Sequence, residues 1–243
     1  MKKTVLITGA NHGLGLSLVK EFLQHDYIVF AGVYKLTAES QIQEIKDNED
    51  LHIIDMDVSD MESVRNSADY VGGITQTLDI LINNAGILCK DAYDKEHFTV
   101  LDRLDFDSMM DAYDVNALGA LRVANVYSSL LLRGEYKLLV NISSEAGSIG
   151  ACTVNYWHGY RMSKAAMNMA GALIHNEYVK HGGKVWQIHP GWVQTYMHGD
   201  RYDSADFTPE FSAEQIYKLI LDMDSYKSDK PVYMDVHGTP WPW

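Results

Sequence analysis

The sequence predicts an α/β fold: a single domain over residues 1–243, built on one doubly wound parallel sheet of about seven strands with helices on both faces. Three observations lead there. Short apolar runs alternate with amphipathic stretches of helical period along the chain, the order expected of parallel strands joined by crossover helices. The apolar runs are nearly continuous, as in strands covered on both faces. A glycine-rich turn follows the first run and opens the first helical pattern.

Taken in order, the first strand is Thr4–Thr8, the run Val5-Leu6-Ile7 stopped by Thr8-Gly9, and the first helix is Leu14–His25. Strands are then predicted at Tyr27–Val33, Leu51–Asp55 and Ile80–Asn83, separated by helical patterns at Ala38–Asn48 and Met61–Gly73. A long helix over Ser108–Leu132 precedes the strand Lys137–Ile142, and another over Gly159–His181 precedes Lys184–Ile188. The helix Ala213–Met223 and the strand Val232–Asp235 complete the order. The polar and aromatic stretch Gln194–Phe211 has little periodicity and is expected to be a mobile loop. Repeated strand–helix units wind with right-handed crossovers, and ligands then bind beyond the carboxyl ends of the strands.

Bulk properties narrow the function. A chain of 243 residues buries well over half of its unfolded surface, so its core needs neither metal nor disulfide. A net charge of −13 repels phosphate backbones and anionic lipid, so neither nucleic acid nor membrane is an expected partner. Cys89 and Cys152 form no CxxC pair, and Val5-Leu6-Ile7 is too short for a signal peptide or a membrane helix. A reduced, cytoplasmic protein is expected. His181, His189 and His198 lack ligand spacing, and the acidic run Asp102, Asp105, Asp107 reads as a solvated helix start. No metal site is expected.

The turn Thr8-Gly9-Ala10-Asn11-His12-Gly13-Leu14-Gly15 has the chemistry to hold a dinucleotide. Glycine lets the backbone lie close to a pyrophosphate whose charge meets the free N–H groups of the helix. Tyr160 and Lys164 stand four apart and share a helix face. An ammonium near a phenol favours the phenolate, which suits the pair to proton transfer near neutrality.

The G-x-x-x-G-x-G spacing of Gly9, Gly13 and Gly15 resembles that of the short-chain dehydrogenase/reductase family, a Rossmann-type fold. Further matches are Asn83-Asn84-Ala85-Gly86 after the fourth strand, Asn141-Ile142-Ser143-Ser144 closing the fifth, Tyr160-Arg161-Met162-Ser163-Lys164, and Pro190-Gly191 after the sixth. The run to Val193 and Thr195, with the ending Gly238-Thr239-Pro240-Trp241, is similar to the C-factor and sniffer-like carbonyl reductase branch.

The resemblance implies an NAD(P)-dependent oxidoreductase moving a hydride between nicotinamide and a carbonyl or alcohol. Tyr160 would be the acid/base, Lys164 would also hold the nicotinamide ribose, and Ser144 would polarise the substrate oxygen, with Ser143 the alternative. Asn116 matches the asparagine that props a water beside the lysine. Asp57 and Val58 match the adenine-binding position, with Asp55 the alternative for the carboxylate. Asn11, Leu14, Asn84, Ala85, Gly86, Pro190 and Gly191 complete the implied nucleotide lining.

The second strand ends Val33-Tyr34-Lys35 without a carboxylate, which permits a 2′-phosphate and favours NADP(H) over NAD(H). His12 and Lys35 are candidate sources of positive charge or of hydrogen-bond donors, and Tyr34 a stacking surface. The gap between Ser144 and Tyr160 is longer than the family's usual one, and Cys152–His158 either walls the substrate pocket or packs. The small and apolar faces of the helices holding Asn116 and Tyr160 either pair subunits, as a homodimer or homotetramer, or cover the sheet. Two other functions are a redox-sensing regulatory or scaffold protein of the same fold and an extended epimerase. The complete catalytic set opposes the first; the glycine spacing and the lack of a further domain oppose the second.

Overall fold

The computed structural model describes residues 2–90, 98–195, 197, 203–226 and 228–243. Seven strands form one parallel sheet in the order β3-β2-β1-β4-β5-β6-β7. They are β1 Thr4–Thr8, β2 Ile28–Val33, β3 Leu51–Asp55, β4 Ile80–Asn83, β5 Leu138–Ile142, β6 Lys184–His189 and β7 Val232–Asp235. The helices are α1 Gly13–Gln24, α2 Met61–Ile74, α3 Phe106–Tyr113, α4 Ala120–Leu131, α5 His158–Tyr178 and α6 Pro209–Leu221.

Strand alternation divides the core into two layers. Val5 and Ile7 face α1 and α6, where they meet Leu18, Phe22, Ile216 and Ile220. Leu6 points the other way, toward Val64 and Val71 of α2, Val123 and Tyr127 of α4, and Tyr178 of α5. Each fully buried Val, Leu or Ile contributes roughly 1.5–3 kcal/mol. The strand order reverses between β1 and β4, which opens a crevice beyond their carboxyl ends. A third, smaller cluster of Leu88, Cys89, Met109, Ala112, Ala146 and Tyr160 closes one side of it.

Beyond shifts of a residue or so at several element ends, the elements depart from the sequence reading in four places. The expected helix over 38–48 shrinks to a 3₁₀ turn at Gln41–Ile45, because Ile42 is its one fully buried anchor. The long helix before β5 starts earlier, at Phe106, where the Asp105 carboxylate accepts from the Ser108 N–H. It is then interrupted by a π-helical turn at Asp114–Gly119. The last helix also starts earlier, at Pro209, with Thr208 Oγ1 accepting from the Phe211 N–H. The expected loop at 194–211 is tied back over its described part, because Val193 and Phe207 form a parallel bridge. His198 lies outside the described residues.

Candidate active site

The glycine turn is shaped by backbone contacts. Gly9 and Gly13 have φ of +65° and +56°, where a side chain is strained. A Cβ on Gly15 would lie 2.1 Å from the Gly9 carbonyl oxygen. The next strand's loop is strapped to this turn: Thr8 Oγ1 accepts from the N–H groups of Asn84 and Ala85, and Asn84 Nδ2 donates to the carbonyls of Thr8 and Gly9. The first turn of α1 has no side-chain cap and no acidic residue, so its N–H groups are available to an anion. Asn11 Oδ1 is buried with no hydrogen-bond partner among the described residues. This cradle fits the pyrophosphate of a dinucleotide. Thr195 closes over it, with its methyl carbon 3.3 Å from where a Gly13 Cβ would stand.

The same cavity, of about 1030 Å³, is lined by Leu14, Tyr34, Asp57, Val58, Gly86, Pro190, Gly191 and Val193. Asp57 Oδ1 is held by the backbone N–H and hydroxyl of Ser59, whereas Asp55 borders a separate shallow pocket beside α2. Tyr34 is exposed after β2, with Lys35 Nζ 4.7 Å over its ring. Partial desolvation lowers His12 from the ordinary histidine value, so its ring serves the turn as a hydrogen-bond donor more than as the positive charge considered from the sequence.

Where β5 ends, the two serines separate by direction. Ser143 is turned away and donates to Asn168 Oδ1 at 2.6 Å. The Ser144 side chain instead lies beside Tyr160, whose phenol it helps to lower, and its oxygen accepts from the Ala146 N–H at 3.1 Å. Tyr160 is buried on the first turn of α5; burial pushes its phenol above the ordinary value, and Ser144 and the Arg161 guanidinium pull it back. Lys164 follows one turn later, its Nζ 5.8 Å from the Tyr160 ring and donating to the Ile142 carbonyl at 2.9 Å. Burial lowers Lys164 to about 8. Ser144 and the Arg161 guanidinium thus join Lys164 around the Tyr160 phenol.

Asn116 sits in the π-helical turn, a deformation that recurs at functional sites. Its amide donates to the Ile87 carbonyl and Ser163 Oγ, each at 2.9 Å, and its oxygen accepts from the Ile87 N–H at 2.8 Å. A Cβ on Gly86 would stand 3.2 Å from Asn116 Oδ1 and 3.5 Å from Lys164 Nζ. The bare glycine thus leaves asparagine and lysine facing one space.

The stretch before α5 lines the cavity through Tyr156 and Trp157, and Trp157 also packs on the small cluster around Tyr160. Trp157 adopts φ +60°, and its ring stands edge-on 6.4 Å from that of Tyr160. Two participants go unmarked in the sequence reading. Asn168, one turn beyond Lys164, was available as a third member of the i, i+4 row. Arg161 was quoted within its motif but given no role, although it lines the cavity. Among the described residues, no cluster of His, Cys, Asp or Glu could hold a metal ion.

Residues 3–206 match the family model described as short chain dehydrogenase. The chain belongs to the short-chain dehydrogenase family. As such it is an NAD(P)-dependent oxidoreductase. An uncharacterised oxidoreductase of Schizosaccharomyces pombe is 37% identical over 195 residues, 79% of this chain and 74% of that one. The C-signal protein of Myxococcus xanthus is 32% identical over 169 residues, 70% of this chain and 95% of the relative. Among solved structures, the NADPH-bound carbonyl reductase from chicken fatty liver superposes with a TM-score of 0.86 at 28% identity, covering 100% of this chain and 99% of that one. Carbonyl reductase Sniffer of D. melanogaster gives 0.87 at 26%, covering both chains fully. No described helix of this dehydrogenase is long and apolar enough to cross a membrane.

Proposed function

We propose that this dehydrogenase interconverts a small carbonyl compound and its alcohol, with NADP(H) preferred and Tyr160 as the acid/base. The observation that carries the reading is the meeting of Ser144, Tyr160 and Lys164 beyond the end of β5, on the cavity that also contains the glycine turn, with the buried Asn116 facing Lys164 across Gly86.

The bound nicotinamide supplies or accepts the hydride. The chain's residues do the rest. Gly9, Gly13, Gly15 and the first turn of α1 hold the pyrophosphate, and Asp57 and Val58 flank the adenine. Lys164 holds the ribose hydroxyls, with Asn116 beside it. In reduction, the Tyr160 hydroxyl gives its proton to the carbonyl oxygen while Ser144 donates a hydrogen bond to the same oxygen, stabilising the charge that develops there. In oxidation the phenolate takes the alcohol proton. Tyr156 and Trp157 wall the substrate side and exclude water.

Two observations support NADP(H). No carboxylate ends β2, where Val33-Tyr34-Lys35 stands. The chicken carbonyl reductase and a short-chain dehydrogenase/reductase from Burkholderia multivorans, 26% identical, carry NADPH and NADP.

Titration with NADPH and NADH at 340 nm, followed by a carbonyl panel on wild type and Tyr160→Phe, tests the reading. NADPH is expected to bind more tightly. Turnover in the variant should fall by roughly 10²–10⁴-fold, the usual contribution of a positioned proton donor, with nucleotide binding kept. Undiminished turnover in Tyr160→Phe would falsify the assignment, and tighter NADH binding would reverse the cofactor preference.

A further inference from the structure

Ser144 lies two residues beyond β5 and caps only a three-residue 3₁₀ turn, Glu145–Gly147, so its own helix does little to orient it. Its neighbours hold it instead. Asn168 accepts from the Ser143 hydroxyl at 2.6 Å and donates to the Gly147 carbonyl at 3.2 Å. From β7, the Tyr233 hydroxyl donates to the carbonyl of Ser144 itself at 2.5 Å. Burial holds the Tyr233 phenol up at about 12, against the lowering influence of Asn168 and Ser143 beside it. The hydroxyl therefore stays a neutral donor throughout the working pH range.

The chain after β7 doubles back to brace this contact. It turns at Gly238, which has φ of +78°. The Trp241 N–H donates to the Tyr233 carbonyl at 2.8 Å, and the Trp243 ring lies 5.4 Å from that of Tyr233. The Ser148 hydroxyl donates to the Pro242 carbonyl at 2.5 Å, and the Gly150 N–H to the Trp243 carbonyl at 2.7 Å. The Trp241 ring packs 5.2 Å from His189, whose Nδ1 accepts from the Glu145 N–H at 3.1 Å. The turn from 143 to 150 is thus tied on one side to α5 and on the other to residues 233–243.

We propose that Tyr233, braced by residues 238–243, is a positioning residue for the reaction: its bond to the Ser144 carbonyl fixes the backbone of Ser144 and so aims the serine hydroxyl at Tyr160 and the substrate oxygen. The inference rests on the role given to Ser144 above. A hydrogen bond on the carbonyl restrains rotation about the Cα–C bond of Ser144, and with it the direction of Cα–Cβ.

The test is a double-mutant cycle of Tyr233→Phe and Ser144→Ala, read as kcat for carbonyl reduction with NADPH saturating. Tyr233→Phe keeps the ring on Trp243 and removes only the donor. Alone it should lower kcat by about five- to tenfold and leave the NADPH Kd unchanged. It should also move the pH profile of alcohol oxidation to higher pH, because the Ser144 bond is one of the groups that lower the Tyr160 phenol. In the Ser144→Ala background it should add nothing, since no hydroxyl remains to be aimed. Equal losses in both backgrounds, or no loss in wild type, overturn the proposal. A neutral Ser144→Ala beside a dead Tyr160→Phe also overturns it but leaves the acid/base reading standing; an active Tyr160→Phe removes that reading itself. Should Tyr233→Phe fail to fold, Ser148→Ala, which releases the Pro242 carbonyl and the Ala151 N–H but leaves Tyr233 in place, enters the same cycle with an expected loss of about two- to threefold.

Discussion

Lys164 is a charged group placed where burial opposes its charge. Its value of about 8 against an ordinary 10.5 means that the folded chain resists protonation more than the unfolded one. The sign follows from linkage: as pH falls from 10.5 through 8, the unfolded chain takes up the proton first and stability drops, by about 3 kcal/mol in all, then stays level below 8. Lys164→Met should therefore lose turnover yet melt at or above the wild-type temperature at pH 7. Calorimetry at pH 7 and pH 9.5 reads this, with the variant's advantage shrinking at the higher pH. A variant that melts several degrees lower at both would show that the bond to Ile142 outweighs the desolvation cost.

At the scale of elements, the first βα turn makes the sharpest demand. A Cβ on Gly15 would meet the Gly9 carbonyl carbon at 2.9 Å and Asn84 Nδ2 at 2.6 Å, as well as the carbonyl oxygen. Relief must come from a shift of the turn, because a strand and two other segments hold its far side. Gly15→Ala is expected to weaken NADPH about a hundredfold, or ~2.7 kcal/mol, by fluorescence titration; an unchanged Kd would show that the turn does not cradle the nucleotide.

Local signals explain which elements the sequence discloses. β1, β3, β4 and β7 match residue for residue, because an apolar run stopped by polar or turn residues is enough to define a buried strand. β2 and β5 each begin one residue late, after Asp26 at φ +61° and at Lys137 with φ +52°, conformations that apolar patterning does not report. Tyr160, Lys164 and the glycines are visible because their chemistry depends on near neighbours in sequence. The π-helical turn is not, since one extra residue scarcely disturbs a helical hydrophobic stripe. Nor is the Tyr233–Ser144 bond, whose partners are 89 residues apart and meet only because β7 lies beside β6.

For the molecule as a whole, the helices around the site leave apolar surface uncovered. Leu118 and Leu121 near the start of α4, and Met162, Met169 and Leu173 along α5, are exposed, the last two at 63% and 64%. This favours the subunit-pairing alternative, with a second copy of the chain covering the α4–α5 face. Sedimentation equilibrium should give twice or four times the 27.4 kDa of one chain, and Met169→Lys with Leu173→Lys should return it to one. A wild-type mass of one chain would leave that face to solvent.

The reversal of strand order between β1 and β4 has a further consequence. Tyr34, Asp57 and Val58 come from the first quarter of the chain, and Asn116, Ser144, Tyr160 and Tyr233 all come from beyond the reversal. On the proposed roles, the residues at the adenine end and those of the reacting centre thus belong to separate stretches of sequence that meet across the crevice. On those roles, a substitution at Tyr34, Asp57 or Val58 alters the preference for one nucleotide over the other without touching the reacting centre, so the two can vary independently.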